Sequence, residues 1–186
     1  MTDENTRWLL SFYRGSEIAG SLFFGRLART LSESPIQHDL SQHFADEAQH
    51  AWYWTRCLQE LGARPLAIEA AYQDRYLAAA GVPANLMEVL ALTQVFECRV
   101  IRQYALHSKV PALAAPIRAT LELIMRDEKR HIRWIRRALA AMAREYGAGE
   151  LERALERFTA ADAAVYAATF AEHAARVQHI FDHSRG

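Results

Sequence analysis

Two cysteines in 186 residues, Cys57 and Cys98, cannot build a disulfide framework, and both stand in apolar, helix-like stretches. A reduced, cytoplasmic setting is expected. Neither sign of charge is in excess, since 22 Lys plus Arg balance 22 Asp plus Glu. Nothing in the net charge draws the chain to nucleic acid or to an anionic membrane. A run of about 18 uncharged apolar residues, the length of a membrane span, is missing. The opening "MTDENTRWLL" is acidic and polar, which argues against a signal peptide. Strand-like alternation is missing too, and there is no nicotinamide, flavin or iron–sulfur signature. What fills the chain is Ala, Leu, Arg and Glu, the best helix formers, with 51% hydrophobic and 24% charged residues. That composition belongs to a folded all-α protein.

Periodicity and breakers predict five long helices, at about 5–32, 35–61, 84–108, 116–146 and 150–182. Ser34 is the expected N-cap of the second, with Pro35 in its first turn, and Gly62 its expected stop. Pro116 is tolerable in the first turn of the fourth. "GAG" at 147–149 is expected to break the chain before the fifth. The first and second helices are joined by a short loop, as are the third and fourth. About 21 residues, "ARPLAIEAAYQDRYLAAAGVP", separate the two hairpins and are expected to hold a short helix. Two hairpins and one long crossover spell a four-helix bundle, with a further long C-terminal helix in one domain spanning the chain.

The chemistry lies in a repeat. Residues 126–134 read "RDEKRHIRW" and residues 45–54 read "ADEAQHAWYW". Each contains Asp-Glu-x-x-His: Asp46, Glu47 and His50, then Asp127, Glu128 and His131. One Glu-x-x-His is weak evidence, because about 0.6 are expected by chance in this composition. One Asp-Glu-x-x-His has a chance expectation of roughly 0.02, so two copies are a strong signal. Positions i and i+3 share a helix face, so each Glu and His can ligate from the same side. Glu17 precedes Glu47 by 30 residues and Glu97 precedes Glu128 by 31, which across each hairpin turn brings all four glutamates to one depth. Four ionised glutamates on apolar faces would be very costly unpaired, and two divalent cations would neutralise them. Four carboxylates and two imidazoles suit a pair of iron ions, or a manganese or mixed manganese/iron pair. Asp127 is expected to hydrogen-bond the outer ring nitrogen of His50 across the bundle, and Asp46 that of His131.

The order Glu17, Glu47-x-x-His50, Glu97, Glu128-x-x-His131 resembles the di-iron carboxylate proteins of the ferritin-like superfamily. That group includes bacterioferritins, rubrerythrins and di-iron oxygenases. The resemblance covers roughly residues 5–146 and fills all six ligand positions. It implies a ferritin-like bundle whose two non-haem irons react with dioxygen or peroxide. Several features depart from particular subgroups. Val100 stands where rubrerythrin-type peroxidases carry an extra carboxylate, no Cys-x-x-Cys pair is present, and the C-terminal helix is longer than that of bacterioferritins. The reading favoured is a di-iron oxidoreductase that activates dioxygen and oxidises a small organic substrate in the bundle core, with electrons from an external donor. The alternative is a ferroxidase, iron-handling or peroxide-detoxifying protein.

Other residues carry blander expectations. Gly15, Gly20 and Gly25 on the first helix suggest close packing, or else room beside the metals. Trp54, Trp134 and Tyr104 are expected as core aromatics, with electron transfer the alternative for the two tryptophans and a redox role the alternative for Tyr104. His43, one turn before Glu47, is expected to be partly buried and hydrogen-bonded, with a role beside the metal ligands as the alternative. His173, His179 and His183 are expected at the surface. Arg126, Arg130, Arg133 and Arg137 form a stripe read as a solvated face, with docking of an acidic electron donor as the alternative and RNA binding less favoured. The Ala-rich C-terminal helix suits packing on the bundle or, in a homodimer, on a second subunit.

Overall fold

A computed structural model describes residues 2–69 and 71–182. Among them every regular element is a helix: α1 (Glu4–Thr30), α2 (Gln37–Glu60), α3 (Tyr72–Ala80), α4 (Leu86–His107), α5 (Ala115–Tyr146) and α6 (Ala148–Asp182). No described helix is long and apolar enough to cross a membrane.

Local chemistry sets the ends. Asp3 caps α1, its Oδ1 accepting from Thr6 N at 3.0 Å, and Asn85 caps α4 through Glu88 N at 3.0 Å. At the end of α2, Gly62 adopts φ 71°. There Ala63 N bonds Leu58 O and Gly62 N bonds Gln59 O, the double closure that a left-handed residue permits. Ser34 does not cap α2. Its hydroxyl accepts from Ile36 N at 3.4 Å and its carbonyl from Gln37 N at 3.0 Å. The serine is thus used up in the reversal from α1, and α2 starts two residues later than its Pro35 suggests. Only Gly147 (φ 94°) separates α5 from α6, so the expected three-residue break shrinks to one.

α1 packs on α2 and α4 on α5, and the two hairpins meet through α2 and α5. The backbones of α1 and α4 stay apart, and side chains span the space between them. Two apolar cores form at the two ends. One gathers Phe24, Leu40, Leu90, Trp134, Ile135 and Phe158. The other gathers Leu10, Tyr13, Trp54, Leu58, Tyr104 and Leu121. Each buried Leu or Phe contributes about 1.5–3 kcal/mol. Along every one of α1, α2, α4 and α5, the predicted ligand glutamate falls between a residue of one core and a residue of the other.

α6 lies on this chain's own α3 and α4. Its buried Asp162 accepts from Tyr72 Oη at 2.8 Å and from Arg99 Nε at 2.9 Å. Tyr76 Oη of α3 reaches the backbone carbonyls of Phe158 and Leu92, each at 3.3 Å. The crossover helix is therefore fastened by polar bonds beneath α6. Asp162→Ala leaves Arg99 without its acceptor and Tyr72 with only the backbone carbonyl of residue 162, at 3.1 Å, and is expected to cost about 2–4 kcal/mol, read as a lowered urea midpoint. An unchanged midpoint would mean that the apolar face of α6 suffices to hold it.

Candidate metal centre

Glu17 comes from α1, Glu47 and His50 from α2, Glu97 from α4, and Glu128 and His131 from α5. All six side chains converge in the layer between the apolar cores, and none is more than 4% exposed. His50 Nδ1 lies 3.2 Å from Glu128 Oε1 and 3.6 Å from Glu17 Oε2. His131 Nδ1 lies 3.1 Å from Glu128 Oε2 and 3.6 Å from Glu47 Oε1. The ligand-type atoms fall into two groups, each within 4.8 Å. Glu17, Glu47, His50 and Glu128 form one; His43, Glu47, Glu97 and His131 form the other. Glu47 belongs to both, and Glu128 turns one oxygen to each of the two histidines. Either group could hold a metal ion.

The outer nitrogens decide which inner nitrogens are free to bind. His50 Nε2 faces Asp127 Oδ2 at 3.3 Å, and His131 Nε2 faces Asp46 Oδ2 at 3.1 Å. An ionised carboxylate only accepts, so each Nε2 carries the proton and each Nδ1 turns to the glutamates. His50 Nδ1 and His43 Nε2 are both buried without a well-aligned hydrogen bond in the protein. Arg130 joins the two aspartates, at 2.6 Å from Asp46 Oδ2 and 3.0 Å from Asp127 Oδ1. Burial raises the Asp46 carboxyl, but His131, Arg130 and Gln42 bring it down to about 2. The hydrogen bond from His50 lowers Asp127. Arg130 therefore departs from its stripe: Arg126, Arg133 and Arg137 are exposed, whereas Arg130 belongs to this network.

Without cations the layer balances its charge with protons. Burial, then the charges of Glu17 and Glu128, push Glu47 well above the ordinary carboxylate range. Burial, Glu128 and Glu47 do the same to Glu97. Burial opposes the charge on Glu128, yet His131 and His50 hold it well below that range. Burial would lower His131, but Glu128 and Asp46 raise it to about 9. His50 is raised against burial by Asp127, Glu128 and Glu17.

Four neighbours complete the centre. Tyr104 donates its hydroxyl to Glu17 Oε1 and accepts from Trp54 Nε1 at 3.3 Å, so it is a core aromatic that also holds a carboxylate. His43 is fully buried, more than its position suggested, with Nε2 at 3.1 Å from Glu97 Oε1 and 3.3 Å from Glu47 Oε1. Its ring stacks between those of Phe24 and His131, 3.6 Å from each. The spacing His43, Glu47, His50 is i, i+4, i+7, one helix face, and that was the available signal. Gly20 is where α1 makes room, since a Cβ there would fall 2.2 Å from Glu47 Oε2. Gly25 instead packs closely on the Phe44 ring, and Gly15 has ordinary space beside Ile68. A cavity of about 340 Å³ between α1, α3 and α4 reaches Gly20, Glu47 and Glu97 past Ile18, Phe23 and Phe96.

His173 corrects an expectation. It is half-buried, lies against the Trp8 ring at 4.4 Å with the planes tilted by 47°, and has the one non-helical backbone conformation in α6 (φ −113°, ψ 15°). The His179 side chain and His183 lie outside the described residues.

Gly20→Ala is expected to displace the Glu47 carboxylate and weaken metal binding at least tenfold while the helices stay folded. Gly15→Ala should bind normally and gain about 0.5–1 kcal/mol of stability. Equal metal titrations of the two variants would remove the role given to Gly20. A cation entering this layer must also displace protons from Glu47, Glu97, His50 and His131. Calorimetry with Zn²⁺ in two buffers of different ionisation enthalpy should show more than one proton released per chain near pH 7. Affinity should fall as pH drops from about 7.5 to about 5.5, because the protonated forms compete; a flat profile would contradict this protonation pattern. Comparison with protein-family models, with characterised proteins and with solved structures returns no match to this chain, so the chemistry of these side chains alone carries its functional reading.

Proposed function

We propose that the chain is a ferritin-like di-iron carboxylate protein that works as an oxidoreductase in the cytoplasm, using dioxygen or peroxide to oxidise a small organic substrate. The observation that carries the reading is the pair of buried Glu/His groups sharing Glu47, with an aspartate behind each imidazole of the two repeats. Six ligands with net charge −4 suit two divalent cations, and iron is the metal proposed, with manganese or a mixed pair as the substitute. When bound, two ferrous ions supply the electrons and open positions at which dioxygen or peroxide is reduced.

The protein's own residues set the conditions. Asp127 and Asp46 keep the proton of each imidazole on its outer nitrogen, so that Nδ1 faces inward. Arg130 neutralises part of the charge those aspartates bring. Tyr104 holds Glu17 by one oxygen and leaves the other toward His50. Phe23, Phe96 and Ile18 line the cavity leading to Glu47 and Glu97. Their apolar surface favours a small, largely apolar molecule over water at that edge. Electrons come from an external donor.

Reconstitution with Fe²⁺ under anaerobic conditions is expected to give two irons per chain, and admission of dioxygen a rapid change in the visible spectrum. Fewer than one metal ion per chain in every preparation would defeat the reading. So would undiminished iron binding after both Glu47 and Glu128 are replaced by Ala. Two irons with no response to dioxygen would leave a metal site and remove the oxidoreductase.

A further inference from the structure

By distance alone His43 belongs with Glu47, Glu97 and His131 as a ligand. The other side of its ring says otherwise. Trp134 Nε1 lies 3.3 Å from His43 Nδ1. An indole N–H can only donate, so Nδ1 must accept with its lone pair. Trp134 is 4% exposed and His43 is 0% exposed, so no bulk water replaces either partner. A neutral imidazole has one lone pair and one N–H. With the lone pair committed to Trp134, the proton sits on Nε2, the nitrogen facing Glu97 and Glu47. Turning the ring over would set C–H groups against both the indole and the carboxylates. His50 and His131 are the reverse: each has an acceptor, Asp127 or Asp46, at its outer nitrogen, so that losing the inner proton to an entering cation gives an Nδ1 lone pair facing the glutamates.

A second arrangement in the same centre has the same form. Trp54 Nε1 donates to Tyr104 Oη at 3.3 Å, and Tyr104 passes its own proton toward Glu17. In each case an indole fixes the orientation of a polar group, and that group points an N–H or O–H at a glutamate. Glu17 receives the hydroxyl of Tyr104, and Glu97 faces the ring N–H of His43.

We propose that His43 is a positioning residue and not a seventh ligand: its Nε2–H is directed at Glu97 and Glu47, 3.1 and 3.3 Å away, without a well-aligned hydrogen bond to either in the metal-free protein. The assignment rests on the two-metal reading above. It makes the ligand set four glutamates and two histidines, with Trp134 as the residue that keeps His43 out of it. Held this way, His43 Nε2–H faces the Glu97 and Glu47 carboxylates at the edge of the cavity, where Gly20 makes room for Glu47 against α1.

The test is long-range proton–nitrogen NMR on the full chain with nitrogen-15 histidine, first metal-free and then with cadmium-113 as the probe, using His43→Gln to identify the His43 signals. The expected metal-free spectrum has His43 protonated on Nε2 and bare on Nδ1. The expected loaded spectrum has cadmium coupled to Nδ1 of two imidazoles and to no nitrogen of His43. Coupling to His43 Nε2 would overturn the proposal while leaving the metal site standing. Failure of cadmium to bind would instead strike the two-metal reading, and the metal-free spectrum would still decide His43: Nδ1–H overturns it, Nε2–H upholds it as a donor. His43→Gln, which keeps a donor, should hold the second cadmium close to wild-type affinity, whereas His43→Leu should weaken it roughly 10–100-fold. Equal losses in the two variants would overturn the positioning role.

Discussion

Four carboxylates in one dry layer repel one another, and the rest of the molecule is arranged around that repulsion. Burying even one unpaired carboxylate costs several kcal/mol. The layer answers it at three distances. Within the layer, protons on Glu47 and Glu97 reduce the charge. One step out, Tyr104 and His43 turn donors toward the glutamates. A further step out, Asp46, Asp127 and Arg130 form a charged lattice between α2 and α5. Backbone geometry follows suit. α1 and α4 do not approach each other closely, because the side chains between them and the cavity beside Gly20 need the space.

The two hairpins are near copies in chemistry but not in detail. Each provides one glutamate from its first helix, an Asp-Glu-x-x-His from its second, and an indole that steadies a donor. The donors differ: a phenol on one side and an imidazole on the other. The phenol stands beside Glu17, next to the His50 group; the imidazole stands beside Glu97, next to the cavity. The two halves of the centre therefore differ in proton-donating chemistry even though their ligand types match.

Much of this could be read from the sequence because it depends on local periodicity. The repeat of Asp-Glu-x-x-His sets Glu and His on one face of α2 and of α5, and the equal spacings to Glu17 and Glu97 set the depth. The helix count, the crossover with α3 and the stop at Gly62 follow from patterns within a few residues. What was missed depends on which side chain meets which across the core. Arg130 looks like the rest of its arginine stripe until Asp46 of another helix is found beside it. His43 looks like an ordinary helix histidine until Trp134 of α5 takes its Nδ1. Ser34 has the right residue type to cap a helix, but the turn between α1 and α2 claims its hydroxyl and carbonyl first. Gly20 and Gly25 look equivalent until one is seen beside a carboxylate and the other beside a ring.

The seam between α3 and α6 bears on how such a chain reaches its native state. Tyr72 and Asp162 are 90 positions apart, and Tyr76 and Phe158 are 82 apart. Contacts of that sequence separation close a large loop and come late for entropic reasons. The hairpins α1–α2 and α4–α5 can assemble from neighbours in the chain. The crossover cannot settle until a helix that follows everything it covers has been made. During synthesis, the nascent bundle would therefore wait with α3 and one side of α4 uncovered, and the closing of that seam would mark the arrival of α6.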